Sequence, residues 1–425
     1  MGAAQIDPLN NALPSAHLFD ASTLGDVLKN DADLARQTLL RQTRIASLLQ
    51  LHPDVLEADP HGAVIVRHEI LAWSPSPAGL AAAHAAGLLV TRESNFDGLA
   101  LTVLRLADTA QTAAILAMLR TIDPEGIYDF NHIYLNSAAS NTVERPPAGA
   151  GPDAGSGNPL RHQGAAIRIG LIDSGVDASH SVFHASLVHQ WGCNDTPHPA
   201  MHGTAVAALM VGQSERFRGV VPGAILYAAD IYCDSATGGS AEQIAQALAW
   251  FAREKVAVIN LSLVGPPNQA LERMVAAMVR RGHLLVAAVG NDGPAAAALF
   301  PASYPGVVGV SAVDPKRQPL PEAGRGPQVM FAAPGSNMMS AAIGSPAYRQ
   351  VRGTSFAAPI VAALLASRLD QPDPAGARKA IATLAKQAAG NNAISDTVSN
   401  TTSEATGYGV VGEAFRTNPS QFQAF

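Results

Sequence analysis

A chain of 425 residues with 48% hydrophobic residues can build two or three domains, and its 15% charged residues are few for a soluble protein without suggesting disorder. A net charge of −6 gives no reason to expect a nucleic-acid or anionic-membrane partner. No apolar run reaches about 18 residues, so no membrane span is expected.

The first residues, Met1 to Asp7, lack a basic region and an apolar stretch, so no signal peptide is read there, and Ile6 does not fit a myristoylation site. Residues 1–60 read as a helical extension. Asn30 or Asp31 could cap a helix over about 32–51, with Leu34, Leu39, Leu40, Ile45, Leu48 and Leu49 at imperfect helical spacing. No role follows from them.

Residues 61–136 read as a small α/β unit. Val64 to Trp73 is strand-like. Ser76-Pro77 supplies an N-cap and a first-turn proline, and Gly87 closes that helix. Leu88–Thr91 and Leu99–Leu106 are strands around the turn signal Asn95-Phe96-Asp97-Gly98. Asp108 is placed as the cap of a second helix, and Ile127–Leu135 as a last strand. The order β-α-β-β-α-β is ferredoxin-like. Residues 137–163 are rich in Ser, Ala, Pro and Gly and read as a flexible linker.

From 164 to 425 strands and helices alternate, which argues a doubly wound, mostly parallel α/β sheet. Strands are expected at 166–172, 187–191, 224–231, 256–263, 284–289 and 307–313, as apolar runs suited to burial on both faces. Ser240 to Gln243 reads as a capping box, Asn268 as a further cap, and Asp373-Pro374 as the start of a late helix. A short terminal strand is expected over Gly407–Val411.

Three stretches carry chemistry. Ile169 to Gly175 is a buried strand ending in the carboxylate of Asp173. Met201 to Ala207 opens a small-residue helix with His202. Gly353-Thr354-Ser355-Phe356-Ala357-Ala358-Pro359 leads into a helix apolar on all sides, with Ser355 at its positive, unpaired start. Pro359 should remove only the first helical bond. Alone, Ser355 is equally well a cap on a core helix, and Asp173-Ser174-Gly175 a turn. A histidine flanked by Gly203 and small residues has no such easy alternative. The other histidines, among them His132, His162, His180, His184, His189 and His198, read as surface or packing residues rather than metal ligands.

Asp173, His202 and Ser355 follow the order of the subtilisin triad. Together with Ala288-Val289-Gly290-Asn291-Asp292-Gly293, these segments resemble the signatures of subtilisin-like serine peptidases, over about residues 165–370. The resemblance implies a serine endopeptidase, with Asp173, His202 and Ser355 as the triad and Asn291 as oxyanion donor. Ser262, Leu263, Val264 and Gly265 would form one edge of the substrate groove, and Ala288, Val289 and Gly290 the facing wall. It implies protein or peptide substrates, and 61–136 as a propeptide-like chaperone and inhibitor of a self-processing zymogen. Cleavage is then expected between about Asn136 and Arg145. Val264 stands where many relatives have glycine and Val289 is larger than usual, so a narrow pocket and a small P1 residue are expected. Ala205 replaces a second histidine often seen in relatives. The competing expectation is an idle scaffold of the same fold. No cofactor is implied; calcium sites are common in such proteins, but no carboxylate cluster matches one. Cys193 and Cys233 admit free thiols or one bridge over about 40 residues. A bridge, and a periplasmic or extracellular location, goes with the secreted character of such enzymes.

Overall fold

A computed structural model describes residues 41–96, 99–107, 111–136, 166–391 and 402–422. Asp97-Gly98, Asp108, His162, the linker with its processing window, and the extension before residue 41 lie outside the described residues.

Helix α1 covers residues 41–51 and leads to strand β1 (Leu56–Ala58). Next come β2 (Val64–Trp73), α2 (Pro77–Ala85), β3 (Leu89–Phe96), β4 (Leu99–Arg105), α3 (Thr112–Ile122) and β5 (Ile127–His132). β2 is central: β5 lies on one side, and β1 and then β4 pair along the other, with β3 at the edge beyond β4. All pairs are antiparallel, the ferredoxin-like arrangement with β1 added. Ser76 caps α2 by accepting from the Gly79 amide at 2.9 Å. Helix α3 starts instead at Gln111, which gives no side-chain cap.

The last predicted strand of this unit is two. It breaks after His132, and β6 (Leu135–Asn136) leaves for the second half of the molecule, pairing with β11 (Leu263–Val264). The apolar run from Ile133 to Leu135 continues the pattern of β5, so periodicity alone does not show the change of sheet.

The second half is built on seven parallel strands: β7 (Arg168–Asp173), β8 (Val188–Trp191), β9 (Ile225–Asp230), β10 (Val258–Leu261), β12 (Leu284–Ala288), β13 (Val308–Val313) and β14 (Val329–Pro334). Their order is β14-β13-β12-β10-β7-β9-β8. Alternate residues feed two cores. Ile169, Leu171, Val258 and Val286 join one with helices α4 (Met201–Val211), α7 (Thr354–Ala366) and α8 (Pro374–Asn391). Ile172, Ile259 and Leu285 join the other with α5 (Ala241–Arg253) and α6 (Gln269–Arg280). The capping box of Ser240 and Gln243 opens α5, and Asn268 caps α6. A hairpin, β15 (Met338–Ala341) with β16 (Tyr348–Val351), precedes α7. The expected strand at Gly407–Val411 is reduced to isolated bridges, Val410 with Ala332 and Gly407 with Ser403.

Cys193 and Cys233 form a disulfide, with Cα atoms 5.1 Å apart. It ties the turn after β8 to the loop after β9 and closes 40 residues. Replacing both cysteines by serine should lower stability by at most about 4 kcal/mol on the chain-entropy account. An unchanged denaturation midpoint would show that the loops need no tie.

Candidate active site

Asp173 ends β7, at the carboxyl edge where open α/β sheets gather their sites. It is fully buried, and its oxygens accept from the Ser174 amide at 2.7 Å and the Ser174 hydroxyl at 3.1 Å. His202 is the second residue of α4. Its Nδ1 lies 2.7 and 2.9 Å from the two Asp173 oxygens. A carboxylate can only accept, so Nδ1 carries the proton and Nε2 is left as the basic atom.

Ser355 is the second residue of α7. The helix cap is Gly353, at φ 129°, where L side chains are strained. Every residue of α7 is buried. The His202 and Phe356 rings, 5.4 Å apart, bring the start of α7 to the imidazole. His202 Nε2 and Ser355 Oγ are both buried, and neither makes a hydrogen bond. Pro359 acts differently from the expectation. It has no N–H for the carbonyl of Ser355, one turn back, and the Ser262 hydroxyl donates there instead at 2.9 Å. Asn260 Nδ2 holds Ser262 at 2.8 Å.

Asn291 follows β12. Its Oδ1 accepts from the Thr354 amide at 3.0 Å, and a Cβ on Gly353 would lie 3.1 Å from its Nδ2. The amide is thus held at the start of α7.

The edge expected to border a substrate groove is paired from within the chain. β6 runs antiparallel to β11, with Leu135 opposite Val264 and Asn136 opposite Leu263. On its other side the Tyr134 amide donates to Gly239 O at 2.8 Å, and Ile133 bridges Ser240. Helix α1 lies over this tail: Ile45, Leu48 and Leu49 pack on the cluster of Ile133 and Leu135, and Arg41 meets Asp292 at 2.6 Å. Of the facing wall, Gly290 approaches the edge, since a Cβ there would lie 3.5 Å from Val264 Cγ1. Val289 belongs to the core of α5 and α6.

The N-terminal sheet meets the starts of two helices. Asn131 accepts from the Glu242 amide of α5 at 3.1 Å, and Asp129 from the Gln269 amide of α6 at 2.7 Å. Arg92 bridges Glu69 at 2.9 Å and Glu242 at 2.6 Å, which raises its pKa. His132 is buried between Asp59 and Asn268, a packing role as expected.

Sequence reasoning missed Asp230. It stands in register with Asp173 on the neighbouring strand. Burial pushes its carboxyl up, against the hydrogen bonds from the Cys233 and Tyr232 amides. Only its place at the end of an apolar strand could have flagged it. Among the described residues, Cys193, Asp230 and Cys233 are the one group with potential metal-ligand atoms close together. The two sulfurs are joined to each other, and a single carboxylate does not make the six to eight oxygens that calcium takes.

The subtilase family matches residues 164–409. The chain belongs to this family. Subtilisin-like protease 1 of Trichophyton verrucosum is 35% identical over 229 residues, 51% of this chain and 55% of that protein. Subtilisin E of Bacillus subtilis (strain 168) is 33% identical over 211 residues, 47% of this chain and 55% of that protein. The subtilase chain thus spans about half the length of these relatives. Its fold is also that of fervidolysin from Fervidobacterium pennivorans, with a TM-score of 0.64 at 19% identity, over 85% of this chain and 62% of that one. No helix among the described residues is long and apolar enough to cross a membrane.

Proposed function

We propose that this subtilase is a serine endopeptidase whose N-terminal unit serves as its propeptide. The observation that carries the reading is the bonded pair Asp173–His202 beside Ser355 at the start of a buried helix. In the reaction, His202 Nε2 takes the Ser355 proton as Oγ bonds the peptide carbonyl carbon. The oxyanion is met by Asn291 Nδ2 and the Ser355 amide. Collapse expels the amine, which leaves with the proton from His202, and water then hydrolyses the acyl-enzyme. Asp173 keeps the imidazole in the reactive tautomer and stabilises its cation.

The bound tail supports the zymogen part. A strand continuing past Asn136 would bring its next residue opposite Ser262, whose hydroxyl touches the Ser355 carbonyl. In this chain that residue is Ser137, so cleavage is proposed after Ser137, with a small residue at P1. The helix-capping contacts of Asp129 and Asn131 would let the N-terminal unit template α5 and α6. The bridge between Cys193 and Cys233 supports an exported, periplasmic or extracellular enzyme.

The tail and α1 in the groove also favour a second reading, a fold held idle by its own N-terminus. A serine-reactive phosphonate separates the two. Labelling at Ser355, in the chain as made or after incubation, is expected. No labelling in either would leave the idle scaffold.

A further inference from the structure

We infer that Cys193, Cys233 and Asp230 form a binding site for one thiophilic ion, Zn²⁺ or Cd²⁺, in the chain whose Cys193–Cys233 bridge has been reduced. The site adjoins the triad through Asp173 but takes none of its residues, and it does not depend on the endopeptidase reading. Cys193 Sγ, Cys233 Sγ and a carboxylate oxygen of Asp230 lie within 4.8 Å of one another. Both sulfurs also lie 3.7 Å from the Asp230 carbonyl oxygen, so this residue sits directly against the pair. One carboxylate oxygen is committed: Oδ1 accepts from the Tyr232 amide at 2.9 Å and from the Cys233 amide at 3.1 Å. The other, Oδ2, is buried and makes no hydrogen bond, in a residue only 8% exposed. A bare buried carboxylate oxygen is costly, and a cation is the partner it lacks. Burial raises the pKa of this carboxyl for the same reason. The glycine at 175 leaves Oδ2 uncovered, since a Cβ there would stand 2.8 Å from it.

The bridge is open to reductants. Both cysteines are partly exposed. The turns around them hold five non-glycine residues in the left-handed region: Cys193, Asn194 and Asp195 at φ 56°, 52° and 59°, and Cys233 and Asp234 at 49° and 52°. Side chains with a Cβ adopt that region at a cost. Exposed disulfides in strained turns are the reducible ones. A dithiol or a phosphine supplies the two electrons. The S–S bond breaks, each sulfur takes a proton, and the reductant leaves as its own disulfide or, with an oxygen from water, as the phosphine oxide. The ion then displaces those two protons as it binds. Two thiolates and a carboxylate make three members of the tetrahedral set that zinc prefers, and water completes it. Thiolate sulfur favours such ions over calcium and magnesium. The two amides on Oδ1 orient the carboxylate, as outer partners do around metal ligands. The bridge and the ion use the same sulfurs, so the two states exclude each other, and either one ties the turn after β8 to the loop after β9.

The test uses the full chain with Ser355→Ala, so that no processing intervenes, reduced by a phosphine and freed of the excess. Cd²⁺ should bind as one ion per chain, read by the ultraviolet charge-transfer absorption of cadmium thiolate, and Zn²⁺ should compete for the same place. The oxidised chain and the double variant Cys193→Ser, Cys233→Ser should show no such absorption. Asp230→Asn keeps an oxygen for the Tyr232 and Cys233 amides but loses the charge. It should weaken binding of either ion by about ten-fold or more. A reduced chain without the absorption, or equal affinity in Asp230→Asn, overturns the inference. A second readout covers any loosening of the fold on reduction. Zn²⁺ should raise the thermal midpoint of the reduced chain, by mass action on its folded state, and leave that of the double variant where it was. A midpoint that stays fixed in the reduced chain, or that moves equally in both, also overturns it.

Discussion

Full-length Ser355→Ala is expected to stay a single 425-residue chain under conditions in which the unaltered chain is expected to divide near Ser137. Residual hydrolysis of an added peptide should fall by roughly 10⁶-fold, the scale measured for loss of the triad serine in subtilisin itself. The physical reason is that the proposed mechanism has Ser355 as its one nucleophile and His202 as its one base, with the buried Asp173 taken up by Ser174 and the imidazole. His202→Ala should cost about as much, and the double variant no more than either, because the two residues act in one step. Asp173→Asn should cost less, about 10⁴-fold, by presenting the wrong tautomer. N-terminal sequencing of the processed chain and single-turnover kinetics check these together. Processing of Ser355→Ala at the same position would show that another protease makes the cut.

Much of this was legible in residues because local and global requirements agree. The strands around Ile172 and Ile259 are apolar on both faces since helices cover both sides of the sheet. Ser76, Ser240 and Asn268 announce helix starts by the chemistry of capping, and each does cap. What stayed hidden depends on partners distant in sequence. β14 ends in Pro334 and sits at the sheet edge, where a missing donor costs little, so its pattern reads as loop. Tyr134 looks like one more apolar residue of β5 until the strand is seen to cross to β11. The part of Pro359 is visible only when Ser262, nearly a hundred residues earlier, is found on the freed carbonyl, at a separation of 93. Asp230 reads as a strand end, and only the register with Asp173 makes it a second buried acid beside the site. The role of α1 was illegible for the same reason: its apolar face meets Ile133 and Leu135, which the sequence assigns to a sheet interior.

Asn291 carries the other large expected effect, and its two ends do different work. Oδ1 accepts from the Thr354 amide at the start of α7; the amide nitrogen, close to Gly353, is the end proposed above to donate to the oxyanion. Asn291→Ala removes both and should lower kcat by about 10²–10³-fold, the cost of one oxyanion donor in subtilisin itself. Part of that loss could come from a loosened helix start. Asn291→Asp separates the contributions: its carboxylate keeps the acceptor for Thr354 but exchanges the donor for a negative charge next to the forming oxyanion. If the donor matters, Asp should be at least as damaging as Ala in kcat, with KM changed little and the thermal midpoint close to that of the unaltered chain. An Asp variant that retains most of the activity would assign Asn291 to holding Thr354 alone, and leave the oxyanion to the Ser355 amide.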